Sequence, residues 1–233
     1  MKPLIILLLA LCAGFTSRLP AQVLVTSNAT APTDNIIISN TAASSGSNLS
    51  FRYTGTGASQ QRDVGQTFTV PSTVDLDKVV VFMIGASATT ITRNFTLTIE
   101  SFATTSVTSN RTLVTAPPQS GVLQSIGTGN QWVTFDLGSS VSLSSGITYG
   151  FRLGFDTMDA SSTMGLDETI PAAYANGTAF QIDYSASSTP SALSGDFRFY
   201  LQTVPEPSTV ALAVAGVSVL MLVVRRRRRQ SSI

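Results

Sequence analysis

The chain has 233 residues, no histidine and one cysteine, and its formal net charge of +1 conceals two opposite parts. Without histidine, Ser-His-Asp catalysis, Cys-His catalysis and histidine-ligated metal sites are excluded. Arg225 to Arg229 form a basic block, whereas Gln22 to Thr203 carries seven basic and twelve acidic side chains, a net −5 that makes nucleic acid an unsuitable partner.

Residues 1–21 are expected to be a secretory signal peptide. Lys2 starts a short positive region, Leu4 to Phe15 is apolar, and Leu19-Pro20-Ala21 offers a cleavage site before Gln22. Cys12 lies inside this segment. The bulky Leu11 before it argues against lipid attachment at Cys12. After cleavage the chain has no cysteine, so disulfides, thiol chemistry and thiolate zinc sites are excluded.

Residues 22–203 are rich in Ser, Thr, Gly and Val, a composition that disfavours helix and suits strands with polar outer faces. Strands are predicted at Val23–Thr26, Ile36–Ser39, Leu49–Tyr53, Gln66–Val70 and Leu76–Ile84. In the last of these, Val79-Val80-Val81-Phe82 suits a central strand buried on both faces. Further strands are predicted at Phe95–Ile99, Thr112–Thr115, Val122–Ile126, Trp132–Leu137, Tyr149–Phe155, Phe180–Tyr184 and Phe197–Leu201. Gly, Ser, Asn or Pro fills nearly every connection, and no helical stretch precedes Thr209. The expected fold class is all-β, a single antiparallel β-sandwich of jelly-roll type. Phe68, Val80, Phe82, Leu97, Ile99 and Trp132 are expected to point inward. The same holds for Phe135, Phe151, Phe155, Phe180, Phe197 and Phe199.

Carboxylates remain as reactive groups. Glu100 and Glu168 are the only glutamates of the segment, and a glycosidase needs two facing carboxyl groups. Glu100 reads as a solvated charge at a strand end, without a partner. Asp75 with Asp77, and Asp156 with Asp159, are candidate calcium ligands, since calcium takes hard oxygen donors. Turn-capping explains these aspartates equally well. Asp167-Glu168 reads as an acidic pair in a loop. Trp132, Tyr53, Tyr174 and Tyr184 are candidates for stacking on sugar rings. Trp132 reads as core, and Tyr174 as the most exposed of the four. Asn94-Phe95-Thr96 is a glycosylation triplet of the kind chance supplies in a Ser/Thr-rich chain.

The C-terminal segment is the most specific. Thr209 to Val224 is apolar and uncharged, about 24 Å long as a helix, and Arg225 to Arg229 follow directly. Snorkelling arginine stems lengthen its reach, and the basic block places the C-terminus on the cytoplasmic side. A buried core helix is the alternative, but one at the chain end with charge on no face and five arginines behind it is unusual. Pro205-Glu206-Pro207-Ser208, this apolar run and the arginine cluster, in that order, resemble the PEP-CTERM sorting domain of bacterial exported proteins over residues 204–230. The resemblance implies processing near the motif by an exosortase, a membrane-embedded cysteine transpeptidase. It also implies a bacterium that makes an exopolysaccharide or biofilm matrix. The two prolines would keep the motif extended and out of the helix. A second resemblance is looser. Val64–Val70 and Leu143–Tyr149 are similar to segments of carbohydrate-binding-like jelly rolls, without assigning any ligand residue.

The function expected from the sequence is therefore an exported surface or matrix protein, non-enzymatic, structural or adhesive, and associated with exopolysaccharide. A carbohydrate-binding module with a defined glycan site is the alternative, and a carbohydrate-active enzyme ranks third. No cofactor is expected beyond calcium in a loop.

Overall fold

The computed structural model describes residues 23–42, 46–51, 62–84, 93–115, 119–123, 130–155, 164–184 and 188–203. These residues form fifteen β-strands: β1 (Leu24–Asn28), β2 (Ile36–Asn40), β3 (Ser47–Ser50), β4 (Arg62–Thr69), β5 (Val74–Ile84), β6 (Arg93–Phe102), β7 (Arg111–Leu113), β8 (Gln119–Leu123), β9 (Gln131–Leu143), β10 (Thr148–Phe155), β11 (Gly165–Thr169), β12 (Ala179–Asp183), β13 (Ser191–Ala192), β14 (Asp196–Phe197) and β15 (Phe199–Thr203). Among the described residues no helix is long and apolar enough to cross a membrane. The predicted signal peptide 1–21 and the segment 204–230, with its span 209–224, lie outside the described residues.

The strands make two antiparallel sheets, one of eight strands and one of seven. In the first, β5 pairs β9 along one edge and both β15 and β11 along the other. β1 adds to β9, β2 to β15, and β3 and β14 to β11. The second runs β13-β12-β4-β10-β6, with β7 and β8 both pairing β6. Apart from the short β7, β8 and β13, successive elements from β4 to β14 alternate between the sheets.

Period-two alternation gives each sheet one apolar inner face. Val64, Phe68, Leu97, Ile99 and Phe151 of the seven-stranded sheet share one core with Val79, Val81, Phe135, Phe199 and Leu201 of the other. Edge-to-face ring contacts cross the gap, Phe95 to Phe135 at 4.9 Å and Phe151 to Phe199 at 5.6 Å. The arrangement is sandwich-like, and each fully buried phenylalanine contributes about 1.5–3 kcal/mol of burial energy.

Four residues expected to point inward do not. Val80 and Trp132 form a separate cluster with Tyr200, against which Phe82 packs, and Phe180 joins Phe102 and Val107 in another. Both clusters lie on outer faces. The reason is parity: Val79 and Val81 already point inward, so Val80 and Phe82 between them must point outward. Phe135 likewise sends Trp132, three residues away, to the opposite face. Phe82 is in addition only partly buried.

The predicted strand Phe197–Leu201 is divided at Arg198, whose backbone N–H donates to the Asp167 carbonyl while its own carbonyl accepts from Phe82. β11 and β13 were not expected. A polar lock joins the two sheets. Asp196, fully buried, accepts Gln66 Nε2 at 3.0 Å and the Tyr174 N–H at 2.8 Å, and Gln66 Oε1 accepts the Phe197 N–H at 3.0 Å. Each donor and acceptor here has a partner, as burial requires.

Candidate functional site

The outer face of the seven-stranded sheet carries a charged network. β6 presents Thr98, Glu100 and Phe102 outward, and β10 presents Gly150, Arg152 and Gly154. The register sets Gly150 beside Glu100 and Arg152 beside Thr98. Glycine at these places leaves room for large neighbours. A Cβ on Gly150 would stand 2.8 Å from the Phe102 ring, and one on Gly154 would strike the Asp63 carboxylate.

Arg152 fills the space between those glycines. Its Nε and Nη2 donate to Glu100 Oε1 at 3.1 and 2.9 Å, and Nη1 donates to Asp63 Oδ2. Arg111 Nη1 donates to Glu100 Oε2 at 3.1 Å. Tyr184 Oη donates to Asp63 Oδ2 at 2.8 Å. Burial opposes the Arg152 charge, but the charges of Glu100 and then Asp63, with their hydrogen bonds, outweigh it and raise its pKa above the ordinary value. Burial, then the hydrogen bond to Asp63, pushes the Tyr184 hydroxyl up to about 12, against a smaller opposing effect of Arg152 and Arg111.

Over this network opens a groove of about 450 Å³. Glu100, Arg111 and Arg152 line it, with Thr108, Ser109 and Asn110 along one side. Ser188, Thr189 and Pro190 contribute as well, and Leu113 adds an exposed apolar side chain.

Several sequence readings are corrected here. Glu100 is neither solvated nor alone: it lies within β6, is 4% exposed, and spends both oxygens on guanidinium donors. Asp167 and Glu168 are not loop residues but buried members of β11, Asp167 accepting Arg198 Nη1 at 3.0 Å and Glu168 accepting Ser47 Oγ at 3.2 Å. Tyr174 is not an open stacking platform. Its ring meets Phe199 edge-on at 5.3 Å, and burial pushes its hydroxyl up to about 12, with Thr69 opposing and Asp196 adding. Trp132 is buried, as expected, but in the outer-face cluster. The Arg198 guanidinium lies 5.2 Å from its ring and 4.3 Å from that of Phe82.

Asp75 pairs with Ser142 across the sheet, and Lys78 ties to Asp136 at 3.1 Å beside Asp77. Among the described residues no group of three or more His, Cys, Asp or Glu is placed to hold a metal. Tyr53, Asp156 and Asp159, like Pro205, Glu206, Pro207, Ser208 and the arginines Arg225, Arg226, Arg227, Arg228 and Arg229, lie outside the described residues. The two segments similar to jelly-roll modules meet in space: Tyr149 pairs with Phe68, and the Gly146 N–H donates to the Val70 carbonyl at 3.4 Å where Gly146, at φ +77°, turns the chain from β9 into β10. Arg152, Arg111 and Asp63 were not singled out by the sequence. The one signal for Arg152 was its position between two glycines in an alternating strand. No protein-family model, curated protein or solved structure matches the chain.

Proposed function

We propose that this protein is exported, sorted through a PEP-CTERM and exosortase-type route, and held at the surface or in the extracellular matrix in association with exopolysaccharide. The observation that carries the reading is the tripartite segment Pro205-Glu206-Pro207-Ser208, Thr209 to Val224, Arg225 to Arg229. It begins two residues after Thr203, the last residue of β15. On this reading the apolar run spans the membrane with the arginines inside and the β domain outside. The domain has a jelly-roll-like topology, a finer description supported by the crossing of successive strands between sheets. The upstream boundary is compatible with removal of residues 1–21, since Val23 is 3% exposed within the core.

The domain is proposed to be a non-enzymatic structural or adhesive module. Both glutamates contribute to packing or ion pairing, and neither Glu100 oxygen is free to protonate a leaving group. The groove over Glu100, Arg111 and Arg152 favours a second reading, a carbohydrate-binding module.

The test is the intact mass of the protein from its native host, separated into membrane, matrix and medium. A chain starting near Gln22 and ending near Pro205, found outside the cell, is the expected result. Replacement of Glu206→Ala should leave export intact and change the mature C-terminus. A membrane-bound wild-type chain that still carries Arg225 to Arg229 would overturn the sorting reading and leave a single-span protein with an outward β domain.

A further inference from the structure

We propose that the groove binds an acidic polysaccharide segment, with Arg111 pairing the carboxylate of a uronic acid residue. The proposal rests on the carbohydrate-binding reading of this groove and names its ligand class.

Its basis is an arginine fixed in place with donors to spare. Nη1 of Arg111 is taken by Glu100, itself anchored by Arg152. Nε and Nη2 have no partner among the described residues, and the side chain is 24% exposed. A guanidinium pinned at one corner presents the remaining fork to a planar carboxylate with little further ordering to undergo. Two of the seven basic side chains of residues 22–203 meet in this groove, although the segment as a whole is acidic. A monoanion suits the place better than a dianionic phosphate, which would stand against Glu100 on the same guanidinium.

The surroundings fit a sugar. Thr108, Ser109 and Asn110 offer hydroxyl and amide groups for ring hydroxyls. Leu113, 45% exposed, gives an apolar surface for a pyranose C–H face. The turn that carries the rim is itself braced, Ala103 N–H donating to the Asn110 carbonyl and Ser109 N–H to the Ser106 carbonyl, each at 3.0 Å. A rim fixed before binding loses less entropy on contact.

The test is calorimetric titration of the full chain in detergent micelles with tetragalacturonate and with tetramannuronate. The same oligosaccharides after carboxyl reduction, and pentaglutamate, serve as comparisons. At least one uronate should bind, its reduced form about tenfold or more weaker, with affinity falling as salt rises. Arg111→Gln should lose about tenfold and Arg111→Lys less, since lysine keeps the charge without the fork. Leu113→Ser removes the apolar surface without setting a charge opposite Glu100, its partner across the β6–β7 pair, and should weaken uronate binding with little change in Tm. Equal affinity for acidic and reduced forms would overturn the role of the carboxylate while sparing the glycan reading. No binding of any oligosaccharide would overturn both. Equal binding of pentaglutamate would replace the glycan by an acidic peptide. None of these results bears on the sorting signal, which the intact mass decides separately.

Discussion

Arg152 serves two carboxylates and a phenol with one planar group. Its Nη1 reaches Asp63 Oδ2 and lies 3.5 Å from Tyr184 Oη, while Nε and Nη2 share Glu100 Oε1. Removing it would leave Glu100, with a side chain 5% exposed, supported by Arg111 alone. Arg152→Ala should therefore cost about 3–5 kcal/mol in urea unfolding, because a buried charge loses its partner. Arg152→Lys should recover only part of the loss. A loss within about 0.5 kcal/mol of zero would mean that the network is decorative. The two tyrosines supply a pH signature. In the folded protein both hydroxyls titrate at about 12, above the ordinary 10.0. The folded state therefore holds its protons longer than the unfolded state. The corresponding stability is complete below about pH 10 and disappears as pH rises through about 12. Tyr174→Phe should flatten that alkaline decline in thermal melts between those limits, and a decline of unchanged steepness would count against it.

β5 shows how one strand serves two sides. Its inner positions Val79, Val81 and Met83 enter the main core, and its outer positions Val80 and Phe82 enter the cluster around Trp132. The register with β9 shifts between Leu76 and Lys78, placing Asp77 at the irregularity. Burial, then the nearby Asp136, raises the Asp77 pKa, and Lys78 only partly offsets them. The charged form is thus disfavoured by folding, so Asp77→Asn should raise the urea midpoint at pH 7 and lose that advantage as pH falls below the carboxylate range. A lowered midpoint at pH 7 would contradict this account. The same strand marks the limit of what the sequence shows. Twelve β segments were legible because apolar and polar residues alternate or cluster between turn signals. Which face an apolar side chain occupies was not legible where both faces are covered, as at Val80, Phe82, Trp132 and Phe180. β11 escaped notice because Gly165-Leu166-Asp167-Glu168-Thr169 reads as polar. It becomes a strand because Arg198 and Ser47, distant in sequence, satisfy its acids. The groove escaped for the same reason: Asp63, Glu100, Arg111 and Arg152 come from four strands, and only cross-strand register unites them.

At the scale of the whole molecule, sheet pairs join distant parts of the chain, and β2 meets β15 near opposite ends of the described residues. Loop closure must be completed before such contacts reward it, so refolding should take milliseconds to seconds, as for other all-β domains. Stopped-flow refolding checks this, and a phase completed in microseconds would contradict it. Thr203, the last residue of β15, pairs with Leu76 at the foot of β5, and its N–H donates to the Asn35 carbonyl at 2.9 Å. The chain is therefore secured up to the residue before Val204. From Thr203 to Thr209 the backbone can reach no more than about 20 Å. On the proposed topology the domain has no stalk. The β6–β7 turn leaves the sandwich at the same end as Thr203. Phe102 pairs with Thr148 and Thr148 with Thr69, and β4 passes from Thr69 into the start of β5. While the anchor remains uncut, a polymer held along that turn would lie against the cell envelope rather than out in the surrounding medium, and cutting at the motif would change the distance at which it is held.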